Sequence, residues 1–319
     1  MSDSYDIVIA GAGIAGLTAG MTAARLGRKT LVLTGGVPGG HLLSIDRIEG
    51  YPGFPEGVSG YELCPMVQEQ ATEAGAEFGT GELQQLLMDG ADHLIITNAG
   101  QYHTHSVILA TGTRLKQLGI PGEQTFRGKG VSQCASCDAP LLRDQIVAVV
   151  GGGDSAMQEA LTLAESATRV HILHRGPELS GQSTYQTRVG AHPKITIHFH
   201  TVVEEIMGAN AVTALRLRDV NNEGTSELEV AGVFIFIGMQ PNAACLDGLL
   251  VLDQQQRIPV DGQLRTTLKG VCAAGIVRAG SQGRAVCSAA DGTSAAMTAD
   301  RYLHDGTWPA NGQTLLVSG

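Results

Sequence analysis

Apolar residues cluster along this chain in two repeated patterns. Residues 5–10 are mostly apolar, with β-branched Ile7, Val8 and Ile9 in succession, and a glycine turn follows. That pattern predicts a strand buried on both faces. Residues 17–26 are rich in alanine with one apolar face and predict a helix, and Thr30-Leu31-Val32-Leu33 predicts a second strand. Strand, helix and strand in that order carry the signature of a parallel sheet. Residues 60–75 predict another helix, with Leu63, Met66, Val67 and Ala71 on one side. Val107-Ile108-Leu109-Ala110 reads as a short strand ending at Thr111-Gly112. The pattern then restarts, with a strand at 146–150, a turn at 151–156, a helix at 156–166 and a strand at 170–173. A later apolar strand at 233–237 is stopped by Gly238 and Pro241. Val271-Cys272-Ala273-Ala274-Gly275 precedes a predicted helix at 289–303, and residues 305–319 read as a terminal extension.

Length and charge narrow the classes. The chain has 319 residues, which suggests two domains. Apolar residues make up 43%, yet no run approaches the ~20 residues that cross a bilayer. Met1-Ser2-Asp3-Ser4 lacks a basic n-region, so a cytoplasmic location is expected. Lys plus Arg number 21 against 31 Asp plus Glu, a formal charge of −10, which argues against nucleic acid as a main partner. Of six cysteines, Cys64, Cys245, Cys272 and Cys287 stand alone and are expected to be buried small apolar side chains. Only one close pair exists, so no metal site is expected.

The chemistry sits in three short segments. Gly11-Ala12-Gly13-Ile14-Ala15-Gly16 follows a predicted strand and opens a helix. Its glycines permit a tight turn, close approach to a pyrophosphate and close helix–strand packing, while the helix N-terminus offers free N–H groups to phosphate. Gly151-Gly152-Gly153-Asp154-Ser155-Ala156 repeats the context, and its last position needs only a small residue; a retained fold that has lost its nucleotide is the alternative there. Between them lies Cys134-Ala135-Ser136-Cys137-Asp138. Two intervening residues let the sulfurs bond within one helical turn, and a dithiol between two dinucleotide folds suggests electrons passing from a cofactor to a disulfide. A structural disulfide, or two free buried thiols, is the alternative.

Further segments add a resemblance. Pro38-Gly39-Gly40, Tyr51-Pro52-Gly53-Phe54-Pro55, Ala110-Thr111-Gly112, Phe126-Arg127-Gly128-Lys129-Gly130-Val131-Ser132, the CxxCD segment and Phe236-Ile237-Gly238-Met239-Gln240-Pro241-Asn242 occur in the order and spacing of low-molecular-weight thioredoxin reductases. The chain resembles this family of flavin disulfide reductases over nearly its whole length. The resemblance implies an α/β fold of two Rossmann-like, three-layer ββα-type dinucleotide-binding domains, the second inserted into the first. It implies an FAD-binding domain from 1–114 plus 248–319, a smaller domain at 115–247, and a homodimer whose domains rotate. FAD would be held by Gly11, Gly13, Ile14, Ala15, Gly16, Gly39, Gly40, His41, Ala110, Thr111, Gly112, Gly275, Arg284, Ala285 and Val286. A second nucleotide would meet Gly151, Gly153, Asp154, Ser155, Ala156, His174 and Arg175. Cys137 would face the flavin, Cys134 would attack the disulfide of thioredoxin, and Asp138 would manage the proton.

Four departures from the family pattern change the expectation. The family reads His-Arg-Arg and a further Arg where this chain has His174-Arg175-Gly176-Pro177-Glu178-Leu179-Ser180-Gly181. Fewer guanidiniums for a 2′-phosphate make NADPH doubtful as donor. Reduced ferredoxin is then the preferred donor, docking on Arg114, Lys116, Arg127, Lys129 and Arg143, and a second FAD is another occupant for the second fold. Ile276 replaces an aspartate that bonds the flavin's ribityl chain, and His41 and Gly50 replace Gln and Asn. Trp308, the one tryptophan, is a candidate to stack on the flavin. The competing readings are an FAD-dependent dithiol oxidase using oxygen, an ordinary NAD(P)H-dependent thioredoxin reductase, and a redox-sensing flavoprotein without turnover.

Overall fold

The computed structural model describes residues 4–246 and 248–308. The chain divides into two compact units, one running to Arg114 and resuming at Gln240, the other spanning Leu115–Met239.

In the first unit, β1 (Ser4–Ala10) leads through Gly11–Gly13 into α1 (Ile14–Arg25) and then β2 (Thr30–Thr34). After α2 (Gly60–Glu73) come β3 (Glu77–Thr80), β4 (Leu83–Asp89), β5 (Asp92–Thr97) and β6 (Gln101–Leu109). β1 lies between β2 and β6, parallel to both, with Val8 opposite Leu31 and Val107. The continuous apolar stretch at 7–10 in β1 has a simple cause. Ile7 and Ile9 enter one core with α1, while Tyr5, Val8 and Ala10 enter another on the opposite face.

The chain leaves this unit through β7 (Thr113–Leu115). In the second unit, β8 (Val131–Ser132) is followed by α3 (Ala135–Asp138), β9 (Ile146–Val150), α4 (Asp154–Ser166), β10 (Arg169–Leu173), α5 (Ser183–Ala191) and β11 (Ile195–His198). An antiparallel meander of β12 (Thr201–Gly208), β13 (Val212–Asp219) and β14 (Thr225–Glu229) precedes β15 (Gly232–Ile235). The parallel sheet runs β11-β10-β9-β15-β8. Val147, Val149, Val170 and Ile172 pack against α3, α4 and α5, while Ala148, Val150 and Leu173 pack against the meander. The unit is therefore three-layered, with helices, parallel sheet and meander.

β16 (Met239–Pro241) returns the chain and pairs with β7. The return comes ahead of Asp247, the boundary expected from the sequence, because the segment after Met239 is already tied into the first unit. Thr111 Oγ1 donates to the Asn242 carbonyl at 2.7 Å, Asn242 Nδ2 donates to the Thr111 carbonyl at 3.0 Å, and Ala243 and Leu246 join the core beneath Tyr5 and Val8. β17 (Val271–Ala273) then adds to β6, and α6 (Ala285–Asp305) packs along α1. That packing is close because Gly292 has no side chain: a Cβ there would lie 2.1 Å from the Ala15 carbonyl oxygen.

Candidate functional site

The first glycine fingerprint forms a cradle with two different kinds of glycine. Gly11 has φ +114°, and a Cβ on it would meet the Ala110 carbonyl oxygen at 2.2 Å, so the ends of β1 and β6 close on each other. Gly13 has ordinary φ and nothing within 4 Å of where its Cβ would be. It is the N-cap of α1 and supplies no side-chain acceptor to the first-turn N–H groups. An open space in front of uncapped N–H groups fits a pyrophosphate.

The other candidates converge on this turn. Gly39 N–H donates to the Ala12 carbonyl at 2.7 Å, and Gly40 lies against Gly13. His41, in the 3₁₀ turn Gly40–Ser44, is held below the usual imidazole range by burial, so its ring is neutral at pH 7. Ala110 N–H donates to the Ala10 carbonyl at 2.9 Å, and Gly112 has φ +65°. The hydroxyl of Thr111 is turned to Asn242, as described above. Gly275 (φ +80°) packs on Ala15, and a Cβ on it would approach that of Ala15 to 2.9 Å. Arg284 is the N-cap of α6, with Ala285 and Val286 in its first turn. The donor set and the open space fit the phosphates of FAD.

One pair beside this cradle escaped the sequence reading. Asp291 on α6 is 7% exposed. It accepts from Arg278 Nε at 2.7 Å, from Arg278 Nη2 at 2.8 Å and from the Gly275 N–H at 3.0 Å. It thus holds the Gly275–Val277 turn, in which Ile276 is half-buried. No spacing motif marks it in the sequence, since thirteen positions separate it from Arg278.

The second fingerprint repeats the geometry. Gly151 has φ +142°, and its Cβ would lie 2.2 Å from the Phe236 carbonyl oxygen; Gly153 faces open space and caps α4 without a side-chain bond. Ala156 is fully buried and Ser155 exposed. Asp154 is engaged by Gln182, whose N–H reaches Oδ1 at 2.6 Å and whose Nε2 reaches Oδ2 at 3.1 Å. The His174 ring covers Gly152, where a Cβ would lie 2.3 Å from Nδ1. Arg175 is exposed and is the one cation between His174 and Gly181. This cradle also fits a dinucleotide phosphate, with one guanidinium near the end of β10.

The dithiol lies on the same unit. Cys134 and Cys137 are joined in a disulfide, with Cys134 half-buried and Cys137 exposed. Cys134 caps α3: its Sγ accepts from the Cys137 N–H at 3.3 Å, and its own N–H donates to Ser132 Oγ at 3.1 Å. Half-buried Asp138 donates its N–H to the Cys134 carbonyl at 3.3 Å. A further residue absent from the sequence reading is Glu159 of α4, 9% exposed, which accepts the Ala135 N–H at 2.8 Å.

Other expectations meet the structure as follows. Cys64 and Cys272 are buried, with Cys64 pushed up to about 11 by burial, whereas Cys245 and Cys287 are only half-buried. Trp308 does not lie over the first cradle of its own chain. Its indole N–H donates to the Thr266 carbonyl at 3.3 Å and its ring packs edge-on to Tyr302. It follows the C-terminal end of the 21-residue α6, ~30 Å of helix from Arg284. Arg114, Lys116, Arg127, Lys129 and Arg143 are all exposed; Arg114 is on β7, and Arg127 and Lys129 share the turn at 126–130. Among the described residues no cluster suits a metal ion, and no helix is long and apolar enough to cross a membrane.

Residues 5–296 match the family model described as pyridine nucleotide-disulphide oxidoreductase. The chain belongs to that family. It is 39% identical over 306 residues to thioredoxin reductase of Treponema pallidum, covering 95% of this chain and 98% of the relative. It is 38% identical over 307 residues to NADPH-dependent thioredoxin reductase 3 of Arabidopsis thaliana, covering 93% of this chain and 58% of that protein. The crystal structure of Lactococcus lactis thioredoxin reductase superposes with a TM-score of 0.92 at 35% identity, covering 95% of this chain and all of that one (100%). The chain is thus a flavin disulfide oxidoreductase of the thioredoxin reductase type. These relatives do not support a place in a branch without normal NADPH use, which the sequence had suggested.

Proposed function

We propose that this chain reduces the disulfide of a thioredoxin, with electrons from a pyridine nucleotide, through FAD in the first cradle and the Cys134–Cys137 pair. The observation that carries the donor is Gly153. It faces open space at an uncapped α4, as Gly13 does at α1, so the second fold keeps a phosphate cradle. The named relatives support the same donor, NADPH in the Arabidopsis case. None of the relatives named above carries ferredoxin in its name.

The residues divide the work. Gly13 and the first turn of α1 bind FAD phosphate, and Asp291 with Arg278 orients the Gly275 turn. Bound FAD supplies two-electron relay between a nicotinamide and a disulfide. Opening the Cys134–Cys137 bond takes two electrons and one proton and leaves Cys134 as a thiolate and Cys137 as a thiol. The Cys134 thiolate then attacks one sulfur of the partner disulfide and releases the other as thiolate, which Asp138 protonates. Cys137 passes its thiol proton to the Asp138 carboxylate, attacks Cys134 of this mixed disulfide, releases the second partner sulfur as a thiolate and restores the starting bond.

The test is a flavin count per chain, followed by anaerobic titration with NADPH, NADH and reduced ferredoxin. One flavin per chain, bleached by a pyridine nucleotide and reoxidised by thioredoxin, is expected. Two flavins per chain, or bleaching by ferredoxin alone, refutes the donor assignment. Cys134→Ser should keep flavin and lose thioredoxin reduction.

A further inference from the structure

We infer that Glu159 is a positioning residue that sets how strongly the Cys134–Cys137 pair reduces its partner. The inference rests on reading that pair as the redox couple. Glu159 projects from α4, is nearly buried, and takes the N–H of Ala135, the residue beside Cys134. Ala135 is itself fully buried, so the carboxylate fixes the backbone at the start of the CxxC turn. As an ionised carboxylate, the ordinary form of Glu at pH 7, it would bring a negative charge to that N–H. A neutral acceptor would satisfy the same N–H, so the charge has a consequence beyond the hydrogen bond.

That consequence falls on the reduced state. Opening the disulfide consumes two electrons and one proton and yields one thiolate and one thiol. The Cys134 sulfur already accepts the Cys137 N–H in the disulfide form, which marks it as the sulfur placed to carry the negative charge. A carboxylate one residue away opposes that charge and leaves the neutral disulfide unaffected. The oxidised form is thereby favoured, and the dithiol is the stronger reductant. A unit charge at this range, at the effective dielectric of a half-buried site, moves the dithiol–disulfide ratio on the order of tenfold. For two electrons that is about 30 mV.

The experiment equilibrates the flavin-loaded protein with reduced and oxidised dithiothreitol, traps thiols by alkylation, and counts the label on Cys134 and Cys137 by mass spectrometry. The buffer dithiol supplies the two electrons and closes to its own disulfide. Glu159→Gln should raise the reduced fraction at fixed buffer ratio by about tenfold in the equilibrium constant. Glu159→Asp, which keeps the charge, should stay near the wild type. A Glu159→Gln value within twofold of wild type overturns the inference. If Glu159→Gln does not fold, the wild type answers through linkage. Carbon-13 spectra of labelled glutamate should show the Glu159 carboxyl titrating at higher pH in the dithiol form, because coupling between the two charges is reciprocal. An unmoved titration overturns the inference as well. Failure of the underlying reading would look different: the wild-type pair would not open in any dithiol buffer.

Discussion

Asp291→Ala should separate structural support of the FAD cradle from phosphate binding itself. The Asp291 and Arg278 side chains are 10% and 16% exposed, and two charge-assisted hydrogen bonds join them at 2.7 and 2.8 Å. Removing one partner leaves the Arg278 guanidinium without its counter-charge and the Gly275 N–H without its acceptor. Breaking a buried pair in this way costs ~3–5 kcal/mol. Set against a typical folding stability of ~5–15 kcal/mol, that is a large fraction. Urea unfolding followed by flavin fluorescence measures the loss, and ultrafiltration measures the flavin retained. The double variant Arg278→Met, Asp291→Leu sharpens the test. It restores apolar packing without buried charge, so much of the stability should return. Flavin retention should stay low, because nothing then holds the Gly275 N–H. A loss below ~1 kcal/mol in Asp291→Ala, with flavin fully retained, would refute this account of the turn.

Gly13→Ala should fold normally and lose FAD, because its φ of −71° suits alanine and only ligand space receives the new methyl. Gly11→Ala, with φ +114° and a clash at 2.2 Å, should destabilise the first unit itself; circular dichroism and flavin content distinguish the two. Arg175→Ala should raise the KM for NADPH about tenfold and leave NADH nearly unchanged, as loss of one charge-assisted contact requires; equal effects on both nucleotides would contradict it. His171 is 8% exposed, shares a 2.9 Å Nδ1–Nε2 contact with His198, and is pushed down to about 4, mainly by burial and then by His198 and Arg169. Its folded state resists protonation, so the stability it contributes is complete above the ordinary 6.5 and is lost as pH falls toward 4, on the order of 3 kcal/mol in all. His171→Asn should flatten that part of the urea-stability profile, and an unchanged slope would count against it.

Much of the nucleotide architecture was legible in the sequence because periodicity and glycine spacing are local. The helices expected at 17–26, 156–166 and 289–303 are present as Ile14–Arg25, Asp154–Ser166 and Ala285–Asp305, each starting earlier than read. Those starts have glycine or arginine caps without side-chain bonds, so no serine or aspartate marks them. The meander β12–β14 was missed for a different reason. Its strands are half exposed and carry charges that pair across the ladder, Arg218 to Glu204 at 2.6 Å and Arg216 to Glu205, so their apolar positions are sparse. Asp291 and Glu159 were invisible because their importance lies in backbone N–H groups they accept from distant turns, and residue type alone does not encode that.

The two fingerprints show why a strict motif is a weaker guide than the space around it. Gly16 and Ala156 occupy the same position. A Cβ at Gly16 would lie 1.8 Å from the Gly11 carbonyl oxygen, so the first turn tolerates only glycine. In the second, the Ala156 methyl packs without exposure and the turn accommodates it. The positions that face ligand space, Gly13 and Gly153, are alike in both. Packing behind the turn has therefore diverged while the face presented to phosphate has not. Loss of arginines beyond β10 bears on which nucleotide is preferred, and the open face bears on whether one binds at all. The arginine count therefore bears on NADPH against NADH, and the open second cradle leaves an NAD(P)H-dependent reading in place.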